Sequence, residues 1–124
     1  MMKGISEEEL IKWANTLIEP SFLDKDIIVE QIHSSQMYIK ERYEDACYIG
    51  FNIFNDVRKY PHNVTVPVSI VTYKENGTPI EFLLFLSDGL VDEIEIVSYD
   101  AMELEPLDFD FSNREYLISE AVRV

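Results

Sequence analysis

The apolar period of this chain changes once, from about 3.6 residues to two, near residue 36. Helices followed by strands, without alternation, is the α+β pattern rather than a set of βαβ units. Residues 6–18 carry the clearest helix. Ser6 is placed as an N-cap and Glu9 follows three residues later, the signature of a capping box. Glu7, Glu8 and Glu9 suit the positive end of the helix dipole. Leu10, Ile11, Ala14, Leu17 and Ile18 recur at helical spacing and predict the buried stripe, with Trp13 flanking it, and Pro20 blocks continuation. Residues 25–34 read as a second, shorter helix capped by Asp24. The β-branched run Ile27-Ile28-Val29 leaves a strand as the alternative.

After residue 36 the side chains alternate. Met37, Ile39 and Glu41 fall on one face of a first strand, with Tyr38 on the other, and a polar turn is expected at Glu44-Asp45. Cys47, Ile49, Phe51 and Ile53 alternate with Tyr48, Gly50, Asn52 and Phe54. Aromatic residues in both phases predict a central strand covered on both sides. Gly50, inside that strand, marks a bulge, a bend or a close approach of the first helix. Residues 55–63 are a loop, and 64–74 return to strand character, with Pro67 pointing to an edge or a bulge. Asn76-Gly77 is a strong hairpin signal leading into residues 79–86. Ser87-Asp88-Gly89 is a second tight turn before residues 90–99, whose alternating Glu93, Ile94, Glu95 and Ile96 imply one wet, acidic face. Phe109 and Phe111 are expected to anchor an extended tail, and residues 113–121 a terminal helical turn. The expected fold is a single α+β domain spanning 1–124, two N-terminal helices packed on an antiparallel meander of about five strands.

Charge narrows the function classes. The 124 residues hold 10 Lys and Arg against 24 Asp and Glu, a net charge of −14. Nucleic acid and anionic membrane surfaces are disfavoured as partners, because long-range repulsion from phosphate opposes approach. The imbalance is concentrated: residues 75–124 carry only Arg114 and Arg123 against 13 acidic residues, a net of −11, while residues 1–74 balance 8 basic against 11 acidic residues for −3. The single cysteine, Cys47, excludes an internal disulfide, and its phase with Ile49 and Phe51 makes it a small buried hydrophobe rather than a nucleophile. His33, His62 and Cys47 are too scattered for a zinc pattern. No Gly-rich phosphate loop or nucleophile elbow occurs. The sequence therefore points to no catalytic, metal or cofactor residue. The start, MMKGISEEEL, has no apolar signal region, and no apolar run reaches the ~18 residues of a spanning helix, so the expected location is cytoplasmic.

The opening SEEELIKWANTLIE and the segment VPVSIVTYKENGTPIEFLLFLSDGLVDEIEIVSYD give a strand, an Asn-Gly turn, an apolar strand, an Asp-Gly turn and a strand ending in EIEI. This order, spanning most of residues 6–105, resembles a group of small acidic bacterial domains, some of which look like immunity proteins of toxin systems. The resemblance carries fold and turns but no functional residue. It implies a bacterial cytoplasmic setting and favours a binding protein over an enzyme.

The leading expectation is a non-enzymatic protein-binding domain, in the immunity reading an inhibitor of a basic toxin such as a nuclease. Glu81, Asp92, Glu93 and Glu95 are the candidate contacts, provided that the register across the Asp88-Gly89 turn aligns them. Arg58 and Tyr60, in the one basic and aromatic loop, are the second candidate contact. The alternatives are a small-molecule-binding domain or enzyme with a pocket between helices and sheet, and a homodimer formed through an edge strand. Folding is expected to need neither metal nor disulfide: thermal melts with and without EDTA and reductant should superimpose, and a large drop with EDTA would reveal a metal that the sequence does not announce.

Overall fold

A computed structural model describes residues 6–43, 45–74, 76–99 and 110–124. Helix α1 spans Glu7–Leu17, and the Ser6 hydroxyl accepts from the Glu9 amide at 3.2 Å, which satisfies one of the orphan donors of the first turn. Its inner stripe is Leu10, Trp13, Ala14 and Leu17, a spacing of three and four. Trp13 is therefore the centre of the stripe, not its flank: it is fully buried and meets the ring of Phe82 edge-on at 5.8 Å. Ile11, one position off that spacing, is 44% exposed. Helix α2 spans Lys25–His33, which settles the helix-or-strand alternative for Ile27-Ile28-Val29. Asp24 stands at the N-cap position but does not cap. Its backbone is left-handed (φ 56°), and its carboxylate lies 2.7 Å from Nε2 of His62 instead.

Six strands form one antiparallel sheet: β1 (Ser35–Arg42), β2 (Ala46–Ile53), β3 (Val68–Tyr73), β4 (Pro79–Ser87), β5 (Leu90–Ser98) and β6 (Asp110–Ile118). Their order across the sheet is β1-β2-β5-β4-β3-β6. The hairpins β1–β2, β3–β4 and β4–β5 are sequential, so much of the expected meander is present. It is broken where β2 docks on β5 rather than on β3, and the strand count is six rather than about five. The sixth strand lies where a helical turn was expected over 113–121. Only Glu120–Val122 coils, as a short 3-10 turn. Phe109 lies outside the described residues, as does the side chain of Phe111.

Alternation divides the sheet into two faces. Cys47, Ile49, Ile94, Ile96, Phe82, Ile80, Leu84, Ile70 and Val68 share the inner face and are all fully buried against α1 and α2 in one apolar core. Leu10, Leu17, Phe51 and Phe82, the core residues that periodicity singles out, are all buried. Among the described residues both helices pack on this face and neither on the opposite, open face. β2 is internal, but the second phase of its aromatics is half-buried Tyr48 on the open face, and Phe54 beyond the strand end is 64% exposed. Pro67 directly precedes β3, which lies between β4 and β6. The proline thus marks a strand start and not an edge.

The chain reaches β3 from β2 by a crossover loop, residues 54–67, that passes the β4–β5 turn. That turn is Asp88-Gly89 with φ of 52° and 77°, the left-handed pair that a two-residue hairpin requires. Gln31 of α2 clamps turn and loop together. Its side chain is completely buried; Nε2 donates to the carbonyls of Arg58 (2.8 Å) and Gly89 (2.9 Å), and Oε1 accepts from the Val91 amide (2.8 Å). Replacing it removes a partner from three backbone groups, of which the Gly89 carbonyl keeps the Tyr60 amide. Gln31→Leu should therefore cost about 2–4 kcal/mol in denaturant unfolding. A loss below about 0.5 kcal/mol, the scale of ordinary surface changes, would show that water replaces the clamp without cost.

Candidate functional site

On the open face the strand register decides which charges meet. Glu93 stands opposite Gly50 on one side and Phe85 on the other. Glu95 stands opposite Tyr48 and Leu83, and Glu81 opposite Val71 and Val97. Three of the four acidic residues expected to act together, Glu81, Glu93 and Glu95, thus share one face. The fourth, Asp92, reaches the same neighbourhood through a bulge. β4 and β5 pair Phe85 with Glu93 and Leu86 with Val91, so Asp92 is the extra residue, exposed beside Glu93.

A second bulge acts on β1. Ile39 pairs with Ile49 and Glu41 with Tyr48, leaving Lys40 as the extra residue. Strict alternation would put Glu41 in phase with Met37 and Ile39. The bulge instead sets it across from Tyr48 on the open face, where it accepts from the hydroxyl of Tyr43 at 2.6 Å. Lys40 extends over β2 to Glu93, with Nζ 3.0 Å from Oε1. Gly50 of β2, opposite Glu93, makes room for Tyr38. A Cβ on Gly50 would stand 2.5 Å from Cζ of Tyr38, so the close neighbour of this glycine is the Tyr38 ring on the open face and not the first helix.

The resulting patch has carboxylates set among aromatic and aliphatic side chains. Tyr38 and Tyr99 are exposed at its margins, the Tyr99 hydroxyl donates to Glu81 at 2.6 Å, and Tyr43 packs edge-on to Tyr48 at 5.6 Å. Leu83, Phe85 and Val97 between them are half-buried. This environment acts on the charges. Partial burial, then the hydrogen bond and negative charge of Glu93, push Glu95 up to about 7, against a smaller opposing pull from Lys40. Lys40 is itself held above its ordinary value, first by its hydrogen bond to Glu93.

Of the other two expected contacts, Tyr60 is turned inward and Arg58 stays at the surface in ion pairs. Tyr60 is 4% exposed and donates its hydroxyl to the Leu23 carbonyl, which makes it part of the core that anchors the crossover loop. Burial, with a contribution from Asp24, pushes it up to about 12. Arg58 is engaged by Glu30 (2.7 Å) and Asp26 (3.3 Å) of α2. Tyr60 and Arg58 therefore fasten the loop to α2 and the segment before it, while Lys59 pairs with Asp88 of the β4–β5 turn. Sequence reasoning missed Lys40, Tyr38 and Tyr48 as members of the patch, because only the pairing of β1, β2 and β5 brings them to Glu93 and Glu95.

Cys47 is fully buried, and burial holds its thiol up to about 11, well away from the thiolate that a nucleophile requires. Among the described residues no group of three or more His, Cys, Asp or Glu side chains is placed to hold a metal ion. The space between helices and sheet is filled by Trp13, Leu17, Ile28 and Phe82, all fully buried. Shallow hollows of about 400 and 350 Å³ open beside the β4–β5 turn, one lined by Phe51, Leu90 and Asp92 and the other by Lys59, His62 and Asp88. No helix among the described residues is long and apolar enough to cross a membrane.

The raised Glu95 makes stability depend on pH with a definite sign. Its carboxyl is favoured in the fold over the ionised form, so its stabilising contribution is complete below the ordinary value of 4.5 and is lost as pH rises through about 7. Glu95→Gln keeps a neutral side chain at every pH. The variant should gain on wild type between pH 5 and pH 8 by on the order of 1 kcal/mol in denaturant unfolding, since partial solvation reduces the full effect. A difference that stays flat across this range would mean that Glu95 titrates as an ordinary carboxylate.

Comparison with family models, with curated proteins and with solved structures finds no match to this chain.

Proposed function

We propose that this chain is a non-enzymatic protein-binding domain whose open face docks a basic protein. The observation that carries this reading is the register that aligns Glu81, Glu93 and Glu95 on one face, among Tyr38, Tyr48, Leu83 and Phe85. Carboxylates spread over aromatic and aliphatic surface provide both terms of a protein interface: apolar contact area, and charge that selects and accelerates a partner of opposite sign. The net charge of −14 acts in the same direction at longer range. In the narrower form of the proposal the partner is a basic toxin, such as a nuclease, and the chain is its cytoplasmic immunity-type inhibitor. The bacterial setting and the toxin come from the resemblance of the turn and strand pattern.

The two alternatives have less support. A small-molecule site between helices and sheet would need room where Trp13, Leu17 and Phe82 are packed. A homodimer through an edge strand would have to use β1, with the bulge at Lys40 and the charges of Lys40, Glu41 and Arg42, or β6, with its irregular register and the charges of Arg114 and Glu115, features that discourage edge pairing.

The decisive experiment is association kinetics with the partner captured from the host. The rate constant should fall on the order of tenfold or more from low to high salt, and by a similar factor when Glu93 and Glu95 are both reversed to Lys. The variant's far-ultraviolet spectrum should be unchanged. An association rate indifferent to both salt and reversal would mean that the acidity serves solubility alone.

A further inference from the structure

Among the described residues the open face carries one cation of its own, and its placement is specific. Lys40 is the extra residue of a β-bulge on the edge strand β1, so it stands outside the regular pairing of β1 with β2. Its ammonium reaches across β2 to Glu93 of β5 at 3.0 Å, and the charges of Asp92 and Glu95 also act on it. The two partners differ in exposure. The Glu93 side chain is 18% exposed and that of Lys40 38%. Glu93 is held by its strand, while Lys40 is the long, solvated arm of the pair. Bulges recur where a side chain must be re-aimed next to a functional surface. Here two bulges, at Lys40 and Asp92, flank the same glutamate.

We infer that Lys40 is the open face's own stand-in for a partner's cation: it occupies Glu93 in the free protein and gives way when a basic partner docks. The inference rests on the docking reading above and adds the residue that regulates it. A half-buried carboxylate without a counter-charge loses hydration without compensation. Lys40 provides that counter-charge while the face is empty. An arginine from the partner could then replace a single-point ammonium contact with a planar, two-pronged one. The displaced Lys40, on an edge strand, returns to water without disturbing the ladder. No charge is left uncompensated on either side of the exchange. The cost to the complex is the ion pair that must be broken, the scale of a partly exposed pair.

A hexa-arginine peptide serves as the probe, with isotopically labelled protein followed by NMR and affinity measured in parallel. Wild type should show shifts at Glu93, Glu95 and Tyr48, and the Lys40 side-chain signals should move towards their values in a free lysine. Lys40→Met should bind the peptide about three- to five-fold more tightly, the factor contained in one exposed ion pair. Lys59→Met is the charge-matched control: Lys59 is also paired, to Asp88 at 2.7 Å, but at the β4–β5 turn. It should change affinity by less than about two-fold, through long-range charge alone. Lys40→Gln, which keeps a polar side chain on the edge strand, should behave like Lys40→Met if loss of the cation is the cause. Equal effects of Lys40→Met and Lys59→Met would overturn the inference and leave the docking reading standing. Weaker binding by Lys40→Met would overturn it too, by making Lys40 a support for Glu93 rather than its competitor. A peptide that shifts nothing on the open face of wild type at low salt would overturn the docking reading, and the inference with it.

Discussion

The buried amide of Gln31 is the interaction on which the architecture depends. A strand order of β1-β2-β5-β4-β3-β6 requires the chain to leave β2, pass β5 and β4, and enter the sheet again at β3. The passing segment carries backbone donors and acceptors that the ladder cannot satisfy. Gln31 meets one of them, the Arg58 carbonyl, and ties it to the Gly89 carbonyl and the Val91 amide of the β4–β5 hairpin. Around it the loop is tied at further points. The Tyr60 hydroxyl binds the Leu23 carbonyl, His62 meets Asp24, Arg58 pairs with Glu30 and Asp26, and the Thr65 carbonyl accepts from the Leu86 amide. The positive φ of Asp24 has a rationale in this scheme. In that conformation its carboxylate turns to the loop instead of capping α2.

Because the crossover lies at one end of the sheet, the open face is formed, among the described residues, by the strands themselves. β2 and β5 become neighbours only through the crossover, and their pairing creates the acidic and aromatic patch. In a simple meander β2 would pair with β3, and Tyr48 would never stand beside Glu95. The same pairing explains why Glu95 is raised: its neighbours are Tyr48, Leu83 and Glu93, which withhold water and add negative charge, while Lys40 offsets them only in part.

The two bulges show how a small departure from alternation redirects function-bearing groups. On β1 the insertion of Lys40 moves Glu41 from the inner phase to the open face, where a carboxylate can stay hydrated. On β5 the insertion of Asp92 lets Val91 face the core and give its amide to Gln31 while Glu93 still faces outward. Each bulge therefore serves the core and the open face at once.

Local signals were sufficient for the elements whose cause is local. The Ser6 cap, the α1 stripe through Leu10 and Leu17, the Asp88-Gly89 turn and the alternation of Glu93, Ile94, Glu95 and Ile96 were all legible, because each depends on residues within one or two turns or a hairpin. By itself the sequence determined the helix-then-strand class, the large negative charge and the acidic phase of β5. The burial of Tyr60, the sixth strand, the β2–β5 pairing and the approach of Lys40 to Glu93 were decided only by the tertiary structure. Those features depend on contacts between residues 37, 53 and more positions apart, as in the Tyr60–Leu23 and Lys40–Glu93 hydrogen bonds. Periodicity reports which face of an element is apolar, but not which strand will lie beside it. The register, and with it the company each charge keeps, follows from packing the whole sheet.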